Sequence, residues 1–160
     1  TGLYKSKAAF RYMLQKSCPN GCGLLIPKSV FEKCGYFDES LRFVLDWNLW
    51  LKFALCGVDF YFDDEELVSN RVHSMQVTVK QKELHSKEAN ITVNQLFKLL
   101  PDKDECGCYS KMLYEFSYAC GRGDTKAIRA YLRERSIKVN ALKLFLLRTK
   151  SKLKRLAKNI

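Results

Sequence analysis

Asp46 opens the segment Asp46-Trp47-Asn48-Leu49-Trp50-Leu51-Lys52, whose apolar spacing predicts a helix over 46–56 that stops at Gly57. An aspartate there can cap the helix by accepting a first-turn amide proton. It can also stand as a rigidly held carboxylate, kept ionised by the helix dipole, and take a proton from a hydroxyl. Residue type and position alone leave both readings open and by themselves favour the cap. Trp47 and Trp50 are three apart and share a helix face; core packing is the plain reading for Trp50, while Trp47 is open between the core and a ligand platform. His73 follows a β-rich run and offers an imidazole, more often structural than metal-binding when it stands alone. Arg71 can hold a phosphate or pair with a carboxylate. Asn20-Gly21-Cys22-Gly23 is a turn that can bring backbone N–H groups to a ligand, a weak signal because such turns are common. The run Asp63-Asp64-Glu65-Glu66 invites a metal reading, but a solvated hairpin turn accounts for it.

The elements that must hold these residues follow from the punctuation of the chain. Residues 4–16 have helical period, 17–23 form a loop by their Pro and Gly content, and 24–26 are a short apolar strand. Pro27 begins and Gly35 stops a brief helix. After the helix at 46–56, residues 58–62 alternate and are β-rich, and 67–73 return as a second strand, so a hairpin across the acidic turn is predicted. Helices are predicted near 80–100, 104–121, 124–135 and 138–158, the first broken by Pro101 and the second by Gly121 and Gly123. The predicted architecture is α/β: a small sheet with covering helices over residues 1–80, a helical extension over 81–137, and a basic amphipathic helix over 138–160.

At 160 residues and 47% hydrophobic, the chain can bury one ordinary core, and 28% charged residues is typical of a soluble protein. It contains no apolar run long enough to span a bilayer and no secretory leader in its first residues, so a cytoplasmic setting is expected. The start on Thr1 suggests a piece of a longer polypeptide. The seven cysteines are odd in number and scattered, which suits buried free thiols. Cys18, Cys22, Cys106 and Cys108 could together offer four thiolates to zinc, but their spacings, CxxxC and CxC, are not those of a zinc knuckle.

Three ordered pieces carry a resemblance. They are Cys34-Gly35-Tyr36-Phe37-Asp38-Glu39-Ser40-Leu41, then Leu45-Asp46-Trp47-Asn48-Leu49-Trp50-Leu51-Lys52 with Gly57, then Asn70-Arg71-Val72-His73-Ser74-Met75-Gln76-Val77-Thr78. The series resembles glycosyltransferase family 2, of GT-A fold, in which a G-x-F-D-E turn precedes an acid that opens a D-x-x-L-W-L-R-like helix, and a later strand ends in R-x-H-x-x-Q-x-S/T. It covers about residues 17–80; each piece is weak alone and the combination is fairly specific. The resemblance implies inverting transfer of a sugar from a nucleotide-sugar donor to the hydroxyl of a glycan or lipid-linked acceptor, with Asp46 as the base. Leu45 stands where many relatives carry another acid. The resemblance further implies acceptor or donor contacts for Trp47, Arg71, Asn20 and Gly21, and makes His73 a ligand of the divalent cation, Mn or Mg, that neutralises the diphosphate. The family's donor site needs a preceding βαβ half and a D-x-D-type motif, and nothing before Asp46 supplies either. The expectation is therefore an acceptor-side half only, a fragment of a larger enzyme and inactive alone, with the cation expected only alongside the missing half.

The competing class is a noncatalytic basic helical module that binds an anionic membrane or a partner protein. Residues 1–121 carry 15 Lys+Arg and 15 Asp+Glu, so the net charge of +11 resides in residues 122–160. Val139, Leu142, Leu146, Leu153, Leu156 and Ile160 recur at three- and four-residue steps, interrupted at Thr149, and form an apolar stripe. Lys143, Arg148, Lys150, Lys152, Lys154, Arg155 and Lys158 dominate the remaining positions, and no acid follows Glu134. Such a helix suits an anionic membrane surface, with a partner helix and a return to the domain's own core as the rivals. The expected setting is then peripheral, on the inner face of a membrane. Nucleic acid fits less well, since no nucleic-acid motif is present.

Overall fold

The computed structural model describes residues 2–16, 18–69, 71 and 82–157, without the side chains of 82, 101–103 and 154–156. In chain order the elements are β1 (Gly2–Tyr4), α1 (Ser6–Gln15), a 3-10 turn (Gly21–Gly23), α2 (Lys28–Cys34), α3 (Leu45–Leu55), β2 (Phe60–Phe62), α4 (Lys82–Lys103), α5 (Cys108–Cys120), α6 (Thr125–Glu134) and α7 (Ala141–Ala157). The described chain is mostly helical with one small two-stranded sheet, and is α/β in that coarse sense. It divides into two compact units at Thr92/Val93, within α4.

In the first unit α3 is the centre. Its residues Asn48, Leu49, Trp50, Leu51, Phe53, Ala54 and Leu55 are all buried, so this helix is apolar nearly all round and has to be enclosed. Helix α1 covers it with the stripe Ala9, Phe10, Met13 and Leu14, and α2 adds Phe31, whose ring meets Phe53 edge-on at 5.4 Å. Trp50 packs against Phe37 at 5.8 Å and Phe53 at 5.6 Å. Each such ring withdrawn from water contributes roughly 2 kcal/mol. Asp59 serves α1 from a distance: one carboxylate oxygen accepts the Ser6 amide and the other accepts Lys5 Nζ, each at 2.8 Å. These two bonds, that from Lys5 foremost, hold its carboxyl below the ordinary value.

Three expectations are corrected here. Among the described residues β2 forms no hairpin across the acidic turn: 67–69 and 71 take no strand conformation, 70 and 72–73 of the expected strand lie outside the described residues, and β2 pairs antiparallel with β1 in the register Gly2↔Phe62, Leu3↔Tyr61, Tyr4↔Phe60. The cause is long-range packing, since the Tyr4, Tyr12 and Phe62 rings cluster at 4.8–5.9 Å beside the Lys5–Asp59 pair. Residues 24–26 start extended, Leu24 having φ −118° and ψ 132°, but no strand pairs with them among the described residues. Helix α4 runs on to Lys103, past the break expected at Pro101; a proline so near the end forfeits one backbone hydrogen bond and interrupts little.

In the second unit α5 is the centre, with Tyr109, Met112, Leu113, Tyr114 and Glu115 buried and α6 and α7 packed on it. Buried Asp104 fixes its start by accepting the amides of Tyr109 at 3.0 Å and Ser110 at 2.7 Å. Asp124 caps α6 through Ala127 N at 2.9 Å, and Phe97 of α4 meets Tyr131 of α6 edge-on at 5.6 Å. Among the described side chains of α7 the half-buried ones are Leu144, Leu147 and Ser151, whereas Leu142, Leu146 and Leu153 of the expected stripe are exposed.

Candidate active site

Helix α3 begins without a capping side chain, because its N-cap residue is Val44. Two carboxylates supply what Val44 cannot. Asp46 lies half-buried on the first turn, and its Oδ1 accepts the amide of Trp47 at 2.6 Å. Buried Glu88, from α4, takes the three amides just before the helix: Phe43 at 2.8 Å, Arg42 at 3.1 Å to each oxygen, and Val44 at 3.2 Å. Burial pushes the Glu88 carboxyl up, but the Phe43, Arg42 and Val44 amides, with the charge of His85, outweigh it and hold the group below its ordinary value. The backbone leading to Asp46 is thereby fixed by a residue on another element.

The two tryptophans fasten α3 to the chain that precedes it. Trp47, half-buried, donates Nε1–H to the carbonyl of Met13 at 3.0 Å, and buried Trp50 donates to the carbonyl of Pro19 at 3.3 Å. Residues 18–23 consequently run along α3. A Cβ on Gly21 would lie 3.8 Å from Cζ2 of Trp50, so this exposed turn passes over the indole. Asn20 is exposed and its Oδ1 accepts Cys22 N at 3.1 Å, which shapes the 3-10 turn. Cys18 lies close enough to feel Asp46: burial first, and the carboxylate's charge second, push its thiol up to about 12. Asp46 thus has a protonated thiol among its neighbours.

Asp46 and Trp47, with Asn20 and Gly21 reached through Trp50, are gathered along one helix. Arg71 is exposed, and the residues on either side of it, like His73, lie outside the described residues. Beside Trp50 a cleft of about 690 Å³ opens between residues 23–27 and β2, with Asp59, Asp63, Glu65 and Glu66 in its wall; Asp46, Trp47 and Arg71 do not line it. Among the described residues there is no group of three or more His, Cys, Asp or Glu that could hold a metal ion. Sequence reasoning passed over Glu88. The available signal is its place on the α4 stripe, four residues before buried Thr92 and eight before buried Leu96; an acid at a stripe position needs a partner inside.

Comparison with known proteins finds relatives of part of this chain. Over 67 residues the chain is 45% identical to a protein of Rickettsia prowazekii named an uncharacterized glycosyltransferase, and 46% identical to one of Rickettsia typhi so named. Each match takes in 42% of this chain and 21% of the relative. A third, from Rickettsia felis and also named an uncharacterized glycosyltransferase, is 33% identical over 85 residues, 53% of this chain and 14% of the relative. The chain spans about a fifth or less of the length of these relatives. No protein-family model matches the sequence, and no solved structure matches it. Over part of its length, then, the chain is similar to proteins named as glycosyltransferases.

Proposed function

We propose that this chain is the acceptor-side part of an inverting glycosyltransferase of family 2, of GT-A type, and that it acts with a nucleotide-binding half not contained in these 160 residues. The reading is carried by one conjunction: partial identity to proteins named glycosyltransferases, in a chain whose Asp46 stands at the start of a buried helix that three other segments hold in place. Inverting transfer needs a base that takes the acceptor hydroxyl proton while the sugar's anomeric carbon is attacked. Efficiency then depends on the base being held within hydrogen-bond reach of that hydroxyl. Asp46 is the base in this proposal. Trp47 and the Asn20–Gly21 turn border the acceptor, and Arg71 meets donor phosphate. A nucleotide-sugar is the donor, and a glycan or a lipid-linked sugar the acceptor. His73 would contribute to holding a Mn or Mg ion, whose chemistry is to neutralise the diphosphate leaving group.

The test is nucleotide release from a panel of UDP- and GDP-sugars, with Mn²⁺, by the natural polypeptide that carries this chain. Asp46→Asn keeps the shape and an acceptor for the Trp47 amide but removes the basic oxygen. Turnover should fall by about a hundredfold or more with donor affinity little changed. Turnover near normal would leave Asp46 with a helix-starting role alone.

A further inference from the structure

Helix α7 is apolar on two sides, and among the described residues only one of them is packed against another element. The inner side, on which Leu144 and Leu147 are half-buried, faces α5, and it is fastened at two points. Lys143 Nζ lies 2.7 and 2.8 Å from the two oxygens of Glu115, a carboxylate only 1% exposed, and the Arg148 guanidinium stands 5.3 Å over the Tyr118 ring. The outer side carries Leu142, Phe145, Leu146 and Leu153, which are 67, 65, 58 and 61% exposed. At 3.6 residues per turn these four fall within an arc of about 100°, and Lys150 and Lys152 flank the arc, one at each margin. The inner contacts fix the orientation, so the outer stripe cannot hide itself by rolling the helix over. Four large apolar side chains held together in water form a surface that an interacting partner covers.

Charge selects the partner. Nine Lys and Arg and no Asp or Glu follow Glu134. A second copy of the chain would bring the same cations to the same margins, and like charges set against each other disfavour that pairing. A nucleic acid offers phosphates but no apolar layer to receive Leu142, Phe145, Leu146 and Leu153. An anionic bilayer offers both, with phosphates at the depth of the lysine heads and acyl chains beneath them, where lysine stems can lie along the apolar surface. We propose that the Leu142/Phe145/Leu146/Leu153 face of α7 docks in the plane of an anionic lipid bilayer, with Lys150 and Lys152 at headgroup level. No described helix is long and apolar enough to cross a membrane, and this contact needs none. The inference stands on α7 alone and goes beyond the transferase reading, so neither depends on the other.

The experiment is co-sedimentation of the 160-residue chain with phosphatidylcholine vesicles and with vesicles that also contain phosphatidylserine, at low and high salt. Binding is expected with phosphatidylserine only and should be lost at high salt, where the headgroup charges are screened. Two variants separate the contributions. Leu142→Ser with Phe145→Ser and Leu146→Ser removes most of the apolar face, and Lys150→Glu with Lys152→Glu reverses its margins. Each should weaken binding by about tenfold or more with helicity by circular dichroism unchanged, because all five side chains are exposed. Equal sedimentation of the wild type and the serine variant overturns the proposal, as does equal binding to both vesicle types. Sedimentation velocity without lipid closes the remaining route: a dimer abolished by the serine variant would assign the face to a second copy and overturn the membrane reading.

Discussion

The carboxylate of Glu88 lies 2.8 Å from the backbone nitrogen of Phe43, across 45 residues of sequence. With the Arg42 and Val44 amides it forms a small anion nest turned inside out, in which a side chain of the protein fills the place of a bound ion. This contact joins α4 to the loop that delivers Asp46.

Removing the Glu88 carboxylate should therefore be costly and pH-dependent. Glu88→Ala leaves three amides without their acceptor and should lower stability by about 2–3 kcal/mol in urea melts at neutral pH. Glu88→Gln keeps one acceptor oxygen and should cost less. The folded carboxyl is held below its ordinary value, so its contribution is complete above about pH 4, where an unfolded Glu titrates, and is lost as pH falls through the lower folded value. The gap between wild type and Glu88→Gln should narrow over that acid range. A gap that stays constant between neutral pH and pH 3 would show that the ionised form contributes nothing.

Cys18 provides a chemical reading of the same region. A thiol pushed up to about 12 holds roughly a thousandfold less thiolate at pH 8 than an unperturbed cysteine. Alkylation followed residue by residue in a mass spectrometer should find exposed Cys22 and Cys106 modified long before Cys18. Asp46→Asn removes the smaller of the two causes, so Cys18 should react somewhat faster and still remain slow, because burial persists. Labelling of Cys18 as quickly as Cys22 would mean that the 18–23 segment does not close on α3.

Local punctuation made much of this fold legible. Pro27 and Gly35 bracket α2, Gly57 follows α3, and Asp124 starts α6, as their residue types predict. What stayed hidden depends on distant partners. The apolar run 24–26 begins extended at Leu24 but reads as a strand only if something pairs with it, and β2 takes its partner from β1 because Tyr4, Tyr12 and Phe62 cluster. Asp46 announces itself at a helix start, whereas nothing near it reveals that Glu88 carries the preceding loop. In the tail the stripe Leu142, Leu146 and Leu153 is visible as a period, but Leu144 and Leu147 form a second one, and the Glu115–Lys143 pair, together with Arg148 over the Tyr118 ring, decides which faces inward.

Gly123 is a position where both backbone and packing demand glycine. Its φ is 69°, and a Cβ there would come within 2.4 Å of Val93 Cγ1. Gly123→Ala should cost about 3 kcal/mol, the sum of left-handed strain and overpacking. Adding Val93→Ala should relieve the Cγ1 part of the clash, leaving Val93 Cβ at 2.9 Å and the strain, so in a double-mutant cycle the pair would be less than additive. Strict additivity in thermal or urea melts would show that the two side chains do not meet.

The Glu115–Lys143 pair determines which side of α7 faces outward, and it can be tested without lipid. Lys143→Met leaves a carboxylate buried without its cation, which should cost about 3 kcal/mol, less to the degree that Lys143, 45% exposed, is already solvated. Combining Lys143→Met with Glu115→Gln removes the stranded charge and should recover much of that loss, since neutral partners avoid the desolvation penalty. Hydrogen exchange adds a local readout: in Lys143→Met the α7 amides should lose protection ahead of those in α5, because the buried core of α5 is unchanged while the fastening of α7 is gone. If α7 kept its protection in the single variant, Leu144, Leu147 and the Arg148–Tyr118 contact alone would hold the helix, and the ion pair would not be what fixes the exposed face.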